Sequence, residues 1–103
     1  MITMEELNKK YEQTLRYLER ASCYEDHADK PWIVESTLAR WMYIGSKQVI
    51  KGLEQDANDL GVRGRNFLKR ICKDELDRRL KYFRSQLTED FPDDELIREE
   101  ITR

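Results

Sequence analysis

The chain has 103 residues, 39% of them charged and 39% hydrophobic, and a net charge of −2. That length predicts a single domain, 1–103, with a modest core. Two cysteines are too few for a disulfide framework, and no apolar run reaches the ~18 residues of a membrane span. The opening "MITMEELNKK" has no apolar signal core, so a cytoplasmic protein with reduced thiols is expected.

Thr3, with Glu6 three positions on, has the form of a capping box and predicts a first helix over about 3–23. Its apolar residues Met4, Leu7, Tyr11, Leu15, Leu18 and Ala21 fall in one stripe. A second helix is predicted over about 31–60. Pro31 suits a first helical position, Asp29 lies near enough to cap, and Gly61 suits a left-handed stop. Gly45-Ser46 and Gly52 are its weak points.

This second helix is apolar on several sides. Val34, Leu38, Trp41, Met42, Val49, Leu53 and Leu60 form one broad stripe, read as the core face. Trp32, Tyr43 and Ile50 form a second line with Ala39 and Ala57 beside it, and Ile33 and Ile44 a third. Such a helix is central, with neighbours on more than one flank.

A third helix is predicted over about 65–88, with Leu68, Cys72, Leu76, Leu80, Phe83 and Leu87 as its stripe and Phe67, Ile71 and Tyr82 at the edge. A short helix over about 92–102 closes the chain. Asp93, Asp94 and Glu95 suit its N-terminal end, and Leu96, Ile97 and Ile101 are positioned to dock it. The fold expected is all-α: three long antiparallel helices plus a short fourth.

Charge is segregated. Residues 1–60 carry 8 basic and 11 acidic side chains, residues 61–87 carry 9 and 3, and residues 88–103 carry 2 and 7. Arg63, Arg65, Arg70, Lys73 and Arg84 are therefore candidate contacts to nucleic acid or to an acidic partner. The outcome expected of the two is that these cations find internal partners. Asp74–Arg78, Glu75–Arg79 and Asp77–Lys81 are i,i+4 pairs with the acid first, and the acidic tail stands ready to meet the remaining cations.

The stretch "ANDLGVRGRNFLKRI", Ala57 to Ile71, resembles a helix-turn-helix, and "GVRGRNFLKRICKDEL" looks like the recognition-helix end of tetracycline-repressor-like regulators. That resemblance implies a helix entering the DNA major groove. It covers about fifteen residues. Arg70 takes a spot usually apolar there, and the helix that follows is too long for the motif.

No catalytic constellation is expected. Cys23 and His27 lie one helical turn apart, but His27 is the chain's one histidine and a zinc site needs three or four ligands. Adjacent carboxylates such as Glu99-Glu100 point about 100° apart on a helix and do not share a proton. No phosphate loop or metal signature occurs, and no cofactor is expected.

The function expected is that of a non-enzymatic interaction protein, a regulator or inhibitor of a macromolecular partner, of the kind that phages and other mobile elements encode. The alternative is a helix-turn-helix-like DNA-binding regulator using 63–84. Trp32, Tyr43 and Ile50 are the candidate interface for a protein partner or a second copy.

Overall fold

A computed structural model describes residues 2–27 and 34–103. The first helix, α1 (Met4–Ser22), opens as its sequence predicts. The Thr3 hydroxyl accepts the Glu6 amide at 3.1 Å, and the Glu6 carboxylate accepts the Thr3 amide at 3.4 Å. One buried face carries Leu7, Thr14, Leu18 and Ala21. A 3-10 turn, Tyr24–His27, follows.

The second helix, α2 (Glu35–Asp59), begins four residues later than expected. Asp29 and Pro31, read as its cap and first residue, lie outside the described residues; Val34 takes the cap position without a side-chain hydrogen bond. Gly45, Ser46 and Gly52 do not break it.

Gly61 takes a left-handed conformation, φ 68°, and turns the chain. The next helix starts at that residue, not near 65. It runs as α3 (Gly61–Phe67), a π turn (Leu68–Cys72) and α4 (Lys73–Asp90), which together form one continuous rod. Early helix formation follows from Gly64. It is buried against the Ala57 carbonyl, where a β-carbon would overlap the oxygen, so the last turn of α2 and the first of α3 sit in close contact. The final helix, α5 (Glu95–Thr102), is capped by Asp94, whose carboxylate accepts the Ile97 amide at 3.1 Å.

Core contacts give the directions. Leu7 lies with Ala57 and Cys72 in one cluster, while Ala21 and Tyr24 lie with Ala39, Phe83 and Leu87 in another. Hence α1 and the 61–90 rod run parallel, and α2 runs antiparallel to both. The short α5 returns beside α2 and α4, with Ile97 buried and Ile101 half-buried. Leu96, expected to dock, is instead 56% exposed. The fold is all-α, three long antiparallel helices and a short fourth, and no helix among the described residues is long and apolar enough to cross a membrane.

The face that α2 buries keeps part of the expected stripe, with Leu38 and Leu53 buried and Met42 and Leu60 packed on the core, but it is turned toward the second line. Its buried positions are Leu38, Ala39, Tyr43, Ser46, Leu53 and Ala57, with Ile50 half-buried in the same row, so small and large side chains share the face. Trp41 and Val34 lie outside at 53% and 66% exposure. Ala39, Ser46 and Ala57 are buried beside Tyr43 and Leu53, so residues of low hydropathy occupy half of the packed face. The buried Ser46 and Thr14 hydroxyls each donate to the carbonyl four residues back, at 2.8 Å.

The π turn has a cause in the spacing of the rod's core row. Gly64, Leu68, Cys72, Leu76 and Leu80 recur every four residues along the rod. In an α-helix each such step overshoots a full turn by about 40°. One wider turn over Leu68–Cys72 takes back most of that drift and keeps the row on the core side. Tyr11 of α1 packs edge-on to Phe67, ring centroids 6.0 Å apart, and donates its hydroxyl to the Ile71 carbonyl at 3.3 Å inside this turn.

Candidate functional site

The rod presents its cations on two sides. From helical phase, Arg63 and Arg70 lie on the face turned away from the core. Arg65, Lys69 and Lys73 form a separate line beside α2, about 6 Å apart along the axis. The π turn keeps that line straight for the same reason that it keeps the apolar row straight. All five are exposed. Arg84 lies further along the same side, half-buried and close to α5.

None of these cations is neutralised by the acidic tail. Among the described residues, Arg63, Arg65, Lys69, Arg70, Lys73 and Arg84 have no carboxylate within ion-pair distance. The tail spends its charge elsewhere. Glu100 pairs with Lys47 of α2 at 2.6 Å and with Arg103 at 3.7 Å, and the Lys47 hydrogen bond holds the Glu100 carboxyl below its usual range. The expectation that the tail satisfies the basic helix is thereby corrected. The reason is topological: α5 lies against the far half of the hairpin, beside Tyr43 and Lys47, and ends before reaching Lys73.

Within the rod, the local pairing also shifts. Glu75 takes both arginines, Arg79 at 2.8 Å and Arg78 at 2.9 Å, and the Arg79 hydrogen bond followed by the Arg78 charge draws its carboxyl down. Asp74–Arg78 and Asp77–Lys81 do not form among the described residues.

The candidate interface on α2 is placed differently from its expectation. Trp32 lies outside the described residues. Tyr43 is 1% exposed, edge-on to Phe83 with centroids 5.4 Å apart and the Lys47 ammonium 5.0 Å from its ring centre. Ile50 packs on the core cluster around Leu53. Tyr43 is a core residue and offers no surface to another chain. Among the described residues the exposed large hydrophobic side chains are instead Tyr17, Val34, Trp41, Val62, Ile71, Tyr82 and Leu96.

Helix-turn-helix geometry is absent among the described residues. The resembling stretch spans the tip of a long hairpin, with α2 unbroken before it and the 61–90 rod after it. No group of three or more potential metal ligands converges among the described residues.

Lys69 is, among the described residues, an unpaired cation that the sequence reading does not single out. Its signal was the spacing of four shared by 65, 69 and 73, which looks like drift on an ordinary helix and becomes a line only with the π turn. Comparison with protein-family models, curated proteins and solved structures gives no match for the chain.

Proposed function

We propose that the protein is a non-enzymatic helical interaction module that regulates or inhibits a macromolecular partner in the cytoplasm by binding an acidic surface of it. The observation that carries this reading is the line Arg65–Lys69–Lys73, exposed and without a carboxylate partner among the described residues. Cations left unpaired on a rigid helix raise the association rate with a negatively charged surface and fix its register. Val62, 65% exposed at the start of the same helix, supplies an apolar contact near the cations, which suits a protein surface.

A second reading, DNA binding by the same cations, is favoured by one observation: the acidic tail does not cover them. Duplex binding would then fall steeply with salt, as each neutralised phosphate releases counterions.

The experiment compares wild type with the triple variant Arg65→Ala, Lys69→Ala, Lys73→Ala. Capture from the native host should retain a protein partner on wild type and lose it on the variant. A duplex-DNA mobility shift at near-physiological salt, abolished by the triple substitution, would put the second reading first.

A further inference from the structure

We infer that the outer face of the 61–90 rod is a self-association surface, on which a second copy of this chain docks antiparallel about a two-fold axis. The surface consists of Arg63, Ile71, Asp74, Arg78, Tyr82 and Glu89, all exposed. It shares no residue with the Arg65–Lys69–Lys73 line.

Helical phase gathers the six into one stripe about a quarter of the circumference wide. Read from Arg63 to Glu89 its order is cation, aliphatic, anion, cation, aromatic, anion. Read in reverse and laid against itself, each of these six meets its complement, while Arg70, exposed on the same face, falls beside the second copy's Tyr82. With the axis beside Leu76 and Asp77, Arg63 stands opposite the second copy's Glu89, Ile71 opposite its Tyr82, and Asp74 opposite its Arg78. These three matches follow from one axis position, because each pair is centred on nearly the same point of the rod.

Self-complementarity under reversal is what an isologous contact requires. A parallel arrangement would set Arg63 on Arg63 and Glu89 on Glu89, so the charges also select the direction. Arg78 keeps its bond to Glu75 at 2.9 Å, and its side chain, 73% exposed, has further donors facing solvent.

The apolar pair is the second argument. Ile71 and Tyr82 are 57% and 69% exposed, large apolar side chains left uncovered on the outer side of the rod. Beside Tyr82 a groove of about 350 Å³ runs between α1 and α4, floored by Leu18. An aliphatic side chain from a facing helix enters it from the same side as the stripe. Pairing Ile71 with Tyr82 twice about the axis gives the contact an apolar centre, with the Arg63–Glu89 pairs at its two rims.

The test is sedimentation or light scattering of the full chain from low to high micromolar concentration. Wild type is expected to be a dimer at the upper end. Arg63→Glu and Glu89→Arg, each alone, are expected to weaken it about tenfold or more, since the two-fold axis doubles every like-charge contact. Mixed one to one, the two variants are expected to recover the dimer, because each supplies the charge that the other reversed. Ile71→Asp is expected to abolish it. Circular dichroism of every variant checks that the helices remain. The triple variant Arg65→Ala, Lys69→Ala, Lys73→Ala is expected to dimerise as wild type does, which separates this surface from the partner site. A wild type that stays monomeric overturns the inference. So does a dimer indifferent to both charge reversals, or a pair of folded reversal variants that fails to recover on mixing.

Discussion

The Gly64 α-carbon faces the Ala57 carbonyl so closely that a methyl group on it would overlap the oxygen. On an open helix, Gly→Ala stabilises by about 0.5–1 kcal/mol. Gly64→Ala should do the reverse and cost about 1–3 kcal/mol, because the hairpin tip must spread to admit the methyl group. Gly52→Ala is the control: nothing lies within 4 Å of a β-carbon there, so the ordinary helix gain of about 0.5–1 kcal/mol should appear. Denaturant midpoints of the two variants decide it, and equal stabilisation by both would mean that the hairpin does not close at Gly64.

Tyr24 links the end of α1 to the end of α4. It is fully buried, stacks on Phe83 at 6.1 Å, and donates its hydroxyl to the Asp90 carboxylate. Burial first, then the Asp90 hydrogen bond and charge, pushes the phenol well above its ordinary 10.0. The folded state therefore holds a proton that the unfolded chain releases near pH 10, so this contribution is complete below that pH and is lost as pH rises. Burial pushes the Cys72 thiol from 9.0 up to about 11, which adds a decline between those values. Stability should thus be level from neutrality to about pH 9 and fall beyond. Tyr24→Phe should cost about 1–2 kcal/mol at neutral pH, reduced because Asp90 is solvated, and should flatten the part of the decline above pH 10. An unchanged alkaline profile in that variant would remove Tyr24 from the account.

The two thiols should behave oppositely. Cys23 is exposed at the end of α1, and Cys72 is fully buried in the π turn. A thiol reagent under native conditions should modify one thiol promptly, identified as Cys23 by peptide mapping. The second should react only as fast as the protein opens. Prompt reaction of both would show that the π turn is not closed over Cys72.

Much of this architecture is legible from the sequence, and the exceptions have a common cause. The Thr3–Glu6 box and the Gly61 stop act through residues a few positions away, so local chemistry suffices to find them. The inner face of α2 is found only in part this way, at Leu38 and Leu53. Hydrophobicity ranks Trp41 above Ala39 and Ser46, whereas the bundle buries the two small residues and leaves the indole 53% exposed. The Lys47–Glu100 pair, 2.6 Å, depends on where a short helix lands across the bundle, and no pattern within either helix encodes it. The cation line is half legible: the charges are plain in the sequence, but their alignment depends on a π turn that no local propensity announces.

That π turn yields the sharpest prediction. Its mark is a hydrogen bond from the Lys73 amide to the Leu68 carbonyl, five residues back. A π turn of this kind equals an α-helix carrying one extra residue. Removing a residue from inside it should restore the four-residue ladder while leaving Gly64 on one side and Leu76 on the other in phase with the core. Deletion of Arg70, which is exposed, should therefore be tolerated within about 1 kcal/mol. Deletion of Lys81, equally exposed but inside regular α4, should rotate everything after it by about 100°. Phe83 and Leu87 would leave the core, and losing a buried phenylalanine alone costs about 3–5 kcal/mol. The Tyr11 hydroxyl gives an internal check, since its bond to the Ile71 carbonyl belongs to the widened turn. Tyr11→Phe should cost about 1 kcal/mol in the full-length rod and less after the Arg70 deletion. Thermal unfolding of the two deletion variants is the measurement. If both unfold the protein alike, the rod is a regular helix in solution and the cation line beside α2 loses its alignment.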